Sequence, residues 1–282
     1  MNTLSMSWPW GTLVLALTGL PAWAQSSEPA SSAAPSTGVT AAPAEPEFRY
    51  LLGGQLRLEP TAAGAADRQT SLSPLFALRW GRWRIASSGA SGMLGFERAA
   101  AGPGASTELL NRGPLRLGLG LRLDNGRKSA DSDNTQGQPD VRRTLRLRGY
   151  ASLALSPDWQ WNTSLSPDLL GRGGGLLVSS DLGWRLWRRP GQELSLGLGL
   201  TAGNRRYMNS YFGQPEPGPY HYQAGAGLRD VHAGLGWLMA LDRHWVLGSG
   251  LGVSRLLGPA TDSPLTQRRN AWQASISLGW RN

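Results

Sequence analysis

The stretch "LRLGLGLRLD" at 115–124 sets leucine against Arg or Gly at every step. Successive side chains of a strand point to opposite faces, so a period of two makes a ribbon that is apolar on one side only. Leu115, Leu117, Leu119, Leu121 and Leu123 take one face; Arg116, Gly118, Gly120, Arg122 and Asp124 take the other. The texture recurs. In "TLRLRGYASLAL" (144–155), Leu145, Leu147, Ala151, Leu153 and Leu155 oppose Arg146, Arg148, Tyr150 and Ser152. In "ELSLGLGL" (193–200) four leucines oppose Glu, Ser and Gly, and "AWQASISLGW" (271–280) repeats the alternation with Trp, Ile and Leu.

A β-sandwich also alternates, but its strands are shorter. These segments run ten residues or more, near the length a tilted strand needs to cross a bilayer. Their apolar face is Leu with Trp near the ends, and their polar face is Gly, Ser and Arg. That is the division of a transmembrane barrel, apolar to lipid and polar to the lumen. Inside a membrane the sheet must close, because an open edge leaves backbone groups without partners. The sequence therefore predicts an all-β fold: a closed, antiparallel, up-and-down transmembrane β-barrel of about 12 strands with both termini periplasmic.

The connections agree with this. "WGRW" (80–83), "SPDWQW" (156–161), "WRRPGQ" (187–192) and "LDRHW" (241–245) are tight, while 59–70, 125–141, 204–226 and 256–268 are long. Outer-membrane barrels have short periplasmic turns and long outer loops. Trp80, Trp83, Trp159, Trp161, Trp187 and Trp245 flank the tight turns, and Trp280 ends the last alternating run. They read as an aromatic belt at the periplasmic interface. Strands are expected near 48–58, 71–80, 82–87, 91–98, 113–124, 142–155, 159–169, 175–187, 192–203, 227–241, 244–255 and 269–280, with 99–112 as a long periplasmic connection.

Upstream of Phe48 the texture changes. "GTLVLALTGL" (11–20) is apolar but too short to span a bilayer as a helix, and Ala22-Trp23-Ala24 follows as a signal-peptidase pattern. Residues 1–24 read as a cleavable signal peptide, 25–47 as an Ala/Ser/Pro-rich disordered periplasmic linker, and 48–282 as the barrel. The expected place is the outer membrane of a Gram-negative cell. With 0 Cys among 282 residues, zinc-thiolate and iron–sulfur sites are excluded. No cofactor and no metal is expected.

The polar face holds the candidate chemistry. Arg116, Arg122, Arg146 and Arg148 line a positive lumen in this register, either pairing with carboxylates and carbonyls or favouring anions in an open pore. Asp230 and His232 share the same face. An acid–His pair with a Ser nucleophile would be hydrolytic, but no motif here supplies triad geometry, so the two read as a polar lumen pair and the chain as a non-enzyme. "GRGGG" (171–175) lacks the Lys and helix of a phosphate loop and reads as a bend. Asp131, Asp133 and Asp140 lack the spacing of a calcium loop. The formal net charge of +9 is spread along strand faces and turns, which argues against nucleic acid. Arg205, Arg206, Arg268 and Arg269 stand at outer strand ends, where they are either simply solvated or meet lipopolysaccharide phosphates.

"YMNSYFG" (207–213), "AGLRDV" (226–231), "LLGPATDSP" (256–264) and "RRNAWQASISLGW" (268–280) occur in an order that resembles the MipA/OmpV family. "LSPLFALRWGRWRI" (72–85), "GPLRLGLGLRL" (113–123) and "GRGGGLLVSSDLGWRL" (171–186) are similar to its earlier segments. The resemblance runs from about residue 48 to the end, and its most specific part is the outer-loop motif Tyr207, Met208, Ser210, Tyr211, Phe212 and Gly213. It implies an outer-membrane barrel that scaffolds peptidoglycan-remodelling enzymes, a periplasmic murein hydrolase and a synthase, within outer-membrane lipid. The family has no agreed catalytic residues to carry over. One departure is the ending, where Arg281 and Asn282 follow Trp280. A small anion-leaning channel stays open as the other reading.

Overall fold

A computed structural model describes residues 48–94, 103–214 and 221–282. The expected signal peptide, 1–24, and linker, 25–47, lie outside the described residues. Twelve strands follow one another: β1 (Phe48–Pro60), β2 (Arg68–Trp80), β3 (Trp83–Ala86), β4 (Gly104–Arg112), β5 (Leu115–Asp124), β6 (Thr144–Ala154), β7 (Trp159–Pro167), β8 (Leu176–Arg189), β9 (Gln192–Gly203), β10 (Gly227–Ala240), β11 (Trp245–Leu256) and β12 (Asn270–Arg281). Each pairs antiparallel with its sequence neighbours, and β1 pairs with β12 from Leu51↔Arg281 to Leu58↔Ala274. The ring is closed, so no strand presents an unpaired edge to lipid.

The register sorts the faces as the alternation dictates. Leucines of the apolar face look outward and stay uncovered: Leu72 is 81% exposed, Leu251 60% and Leu52 57%. A continuous uncovered apolar band is unstable in water and natural in a bilayer. Inward positions are small or polar, among them Ser152, Asn162, Ser164, Thr201 and Ser277, all buried.

The sequence misplaces one strand. Of the fourth strand expected at 91–98, residues 95–98 lie outside the described residues and 91–93 belong to a short helix α1 (Ala90–Met93); the fourth strand is β4, within the stretch expected as a periplasmic connection. Two causes explain the error. A short apolar run such as "GMLGF" reads equally as strand or buried helix. And β4 carries a bulge between Glu108 and Leu110, which shifts its register and hides its alternation. With β4 in place, tight turns and long connections alternate strictly around the barrel. The start of β1 and the end of β12 lie at the tight-turn end, where the Asn282 carboxamide accepts from Tyr50 N at 2.8 Å and donates to Phe48 O at 3.2 Å.

The connection after β3 turns into the barrel. Ala90, Met93 and Leu94 pack with Leu51, Leu75, Ala77, Ala86 and Val246, and Leu238 lies against the group. Helix α1 touches both β2 and β11, which β12 and β1 separate in the ring. It therefore packs inside the barrel against the arc of wall that runs from β11 through β12 and β1 to β2. Gly248 makes room for it: a side chain there would press on the Met93 thioether.

Candidate functional site

The family-like motif forms a helix, α2 (Arg205–Phe212), where the sequence predicts an irregular outer loop. Asn204 starts it, its side-chain oxygen accepting from Tyr207 N at 3.0 Å and from Leu176 N at 3.0 Å. Gly213 ends it, its N–H donating to Asn209 O at 2.9 Å. The helix lies in the mouth of the barrel. Tyr207, Met208 and Phe212 are buried with Ala224, Leu256 and Ala260, flanked by Leu177, Tyr211 and Tyr222.

Polar bonds fix α2 to several walls. Arg127 Nη1 donates to Tyr211 O at 2.9 Å, and Ser263 Oγ donates to Phe212 O at 2.6 Å. The Tyr211 hydroxyl meets the Asp124 carboxylate on β5 at 3.3 Å. Burial, with Asp124 beside it, pushes the Tyr211 hydroxyl far above its ordinary value, so it remains a donor. Gly175, at φ 53°, lets the loop between β7 and β8 run beneath the helix; a side chain there would strike Asn204 and the Tyr207 backbone. Ser210 faces the same loop, beside Gly173. On the outer side of α2 a cavity of about 440 Å³ opens, lined in part by Arg127, Asp140, Arg172, Asn209 and Tyr222.

Beneath α2 lies a charged network. Arg229 Nη1 donates to the Tyr207 hydroxyl at 2.8 Å, and its Nε donates to Asp230. Asp230 meets His232 Nδ1 at 2.9 Å, and His232 Nε2 meets Asp181 on β8 at 2.9 Å. An acceptor at each ring nitrogen matches an imidazolium, in which both nitrogens donate. That leaves neither nitrogen to take a proton from a nucleophile, so this pair is not arranged as a catalytic base. On the far wall, Arg146 is 3% exposed and binds Asp124 at 2.6 Å, Ser166 O at 3.0 Å and Gly174 O at 2.6 Å. The guanidiniums of Arg146 and Arg229 stand 5.5 and 5.7 Å from the Tyr207 ring, which stacks on Tyr211 at 4.5 Å. Tyr207 is thus clasped by two cations.

The expected lumen residues Arg116, Arg122, Arg146, Arg148, Asp230 and His232 all fall on the inward face of β5, β6 and β10. Sequence reading missed Asp181, whose polar-face position in β8 could have been counted, and Arg229. The latter escapes because a bulge between Leu228 and Asp230 breaks the period there. At the outer strand ends Arg205 bonds Gln223 at 3.1 Å and Arg206 bonds Gly171 O, while Arg268 and Arg269 are exposed. In the 125–143 connection, Asp140 accepts from Ser129 N at 2.7 Å and Asp133 from Gln136 at 3.2 Å. These carboxylates serve local turns.

The described tryptophans gather at the tight-turn end, except Trp272, which lies under Arg68 at the other end. Trp80 opposes Trp83 across the first tight turn, and Trp245 opposes Trp280. Trp159 stacks on Trp184 at 5.0 Å; Trp161 bonds Ser180 Oγ at 2.8 Å; Arg189 lies over Trp187 at 5.1 Å. Trp184 joins the group although the turn spacing did not single it out.

The family model described as "MltA-interacting protein MipA" matches residues 52–282. Among curated proteins none matches. Among solved structures, the COG4313 outer membrane channel from Pseudomonas putida F1 is 13% identical, with 83% of this chain and 95% of that chain covered and a TM-score of 0.47. OprB of Pseudomonas putida is 7% identical, with 83% and 94% covered and a TM-score of 0.43. A KdgM porin is 7% identical, with 82% and 98% covered and a TM-score of 0.40.

Proposed function

The chain belongs to the MltA-interacting protein MipA family, and on that premise we propose that this outer-membrane-type barrel is a non-enzymatic scaffold for peptidoglycan-remodelling enzymes. The partners would be a murein hydrolase and a synthase, held at the tight-turn end, which would face the periplasm of a Gram-negative cell after export by a cleaved signal peptide. One observation carries this reading over a transport role. Helix α2 buries Tyr207, Met208 and Phe212 in the barrel mouth, where a permeating solute would have to pass. The test is affinity capture of the intact barrel from detergent-solubilised envelopes. Enrichment of a murein hydrolase or synthase supports the scaffold; a capture with neither removes it.

The second reading is a small anion-leaning channel, favoured by the arginines on the inner wall. It requires α2 to move. Single-channel recording in planar bilayers decides it: no current at any voltage eliminates the channel, and steps that favour anions support it.

A further inference from the structure

The cavity on the outer side of α2 is lined by none of the residues of the charged network beneath the helix. Its walls come from three connections: Asp140 and Val141 after β5, Arg172 after β7, and Asn209, Ser210, Gln214 and Tyr222 after β9. Backbone bonds hold these walls in place. Arg127 and Val141 exchange hydrogen bonds at 3.0 and 2.8 Å, and Gln214 and Tyr222 do so at 2.8 and 3.2 Å. The Arg127 guanidinium ties the first wall to the helix, donating to Pro139 O at 3.2 Å and to Tyr211 O at 2.9 Å. At about 440 Å³ the cavity falls within the range of small-ligand clefts, about 300–1,000 Å³.

Its polar groups are only partly used. Among the described residues no hydrogen bond engages the side chains of Asn209, Ser210 and Gln214. Arg172 spends one nitrogen, Nη1, on Arg143 O at 2.9 Å, and Asp140 one oxygen, Oδ1, on Ser129 N at 2.7 Å. Gly213, also in the lining, has φ −76° and ψ 152°, values that any residue adopts. What the position requires is the absence of a side chain, because a Cβ there would run into the Asn209 carboxamide.

We propose that this cavity binds a saccharide of one or two rings. Each sugar hydroxyl both donates and accepts, and the carboxamides of Asn209 and Gln214 and the hydroxyl of Ser210 do both in return. Asp140 adds an acceptor and Arg172 adds donors for neighbouring hydroxyls. Phosphate is the poorer match: Arg127 has both terminal nitrogens on carbonyls, and the Asp140 carboxylate repels an anion. An apolar ligand would desolvate the free amides and give them nothing in exchange. The same ring chemistry is offered by a free sugar and by the core sugars of lipopolysaccharide. A bound saccharide touches α2 and the connections beside it, so by mass action it stabilises the helix in the mouth. The site depends neither on the scaffold role nor on a passage through the barrel.

The test uses the full-length barrel in a detergent without a sugar headgroup. Hexoses, N-acetylhexosamines and hexose disaccharides are screened by saturation-transfer NMR. Purified lipopolysaccharide is run beside its lipid A, which lacks the core sugars. Saturable binding of a saccharide is expected, with slower hydrogen exchange at residues 209–214 in its presence. Asn209→Ala, Gln214→Ala and Gly213→Ala should each weaken it about fivefold or more, the loss of one neutral hydrogen bond. Arg268→Gln, in the exposed connection before β12, should leave it unchanged. Heat-modifiable gel migration confirms that each variant is folded. If the cavity variants do not fold, the wild-type exchange decides: it must slow at 209–214 with saccharide. Binding of lipopolysaccharide without binding of lipid A or free sugars supports the proposal and makes the core the source. No binding of any saccharide, undiminished binding by Asn209→Ala, or equal binding of lipid A overturns it.

Discussion

The Arg229 guanidinium meets the Tyr207 hydroxyl at 2.8 Å, and through that bond the helix in the barrel mouth is fastened to β10. Hydrogen bonds to charged groups contribute about 1.5–3 kcal/mol. Tyr207→Phe keeps the ring between Arg146 and Arg229 and removes only the hydroxyl. It should lower the stability of α2 by about that amount, seen as faster hydrogen exchange at residues 207–212 with strand amides unchanged. Unchanged exchange in α2 would mean that packing alone holds the helix.

Arg146 organises the loop between β7 and β8 as well as Asp124. Arg146→Met preserves much of the side-chain volume but abandons the half-buried Asp124 carboxylate and several carbonyls. Breaking one side of a buried ion pair costs about 3–5 kcal/mol. The expected result is a lower melting midpoint together with new protease cleavage within 168–175. Cleavage should be absent in Arg172→Met, whose guanidinium bonds Arg143 O at the exposed surface.

Gly199 on β9 lies beneath the contact between Asp181 and His232, and a side chain there would run into both. Gly199→Val should separate the pair and cost about 1–3 kcal/mol, as overpacking does. Nitrogen-15 spectra of His232 should then lose the two-donor signature. Gly197→Ala is the comparison, since its nearest neighbour would be Gly234 O at 3.9 Å; it should leave both stability and spectrum intact.

Asp168, just beyond β7, gives the loop a pH dependence. Its slight burial pushes the carboxyl up, but hydrogen bonds from Thr144 and the amides of Gly174, Leu170 and Arg172 outweigh this and hold it below the usual carboxylate range. A depressed value means the folded state prefers the ionised form. The stabilisation is therefore complete above the unfolded Asp value of about 3.9 and disappears as pH falls through the lower folded value. Protection of the Gly174 amide should persist at pH values where a free Asp is half protonated and vanish only in stronger acid. Asp168→Asn should remove that transition.

Met208 and Phe212 fill the mouth, so Met208→Ala with Phe212→Ala should loosen α2 by several kcal/mol, at about 2–5 kcal/mol for each large-to-small change. In planar bilayers the double variant should show more frequent or larger current steps than the parent. Equal currents would show that α2 is not what limits passage, and would point to the α1 cluster instead.

How much of this was legible beforehand follows from what each feature depends on. Leucine alternation in 115–123 or 194–200 is a local property, because a strand's faces are set by its own backbone. Closure follows from the bilayer, which tolerates no open edge. So strand number, inward and outward faces, the arginine-lined wall and the Trp-rich end were all present in the chain as written. Where a bulge breaks the period, at Glu108 and at Leu228, local reading failed, and with it went β4 and Arg229.

Sequence by itself determined the wall of this protein; only the tertiary structure decided what stands inside it. Nothing in "YMNSYFG" or "GASGM" as isolated segments says that one becomes a helix in the mouth and the other a helix packed on the inner wall. Both depend on contacts with residues far along the chain: Tyr207 with Arg229, Tyr211 with Asp124, Met93 with the wall at Gly248. A strand in a bilayer is fixed by its neighbours and the lipid. An inserted helix is fixed by the shape and charge of a lumen that exists only after the barrel has closed.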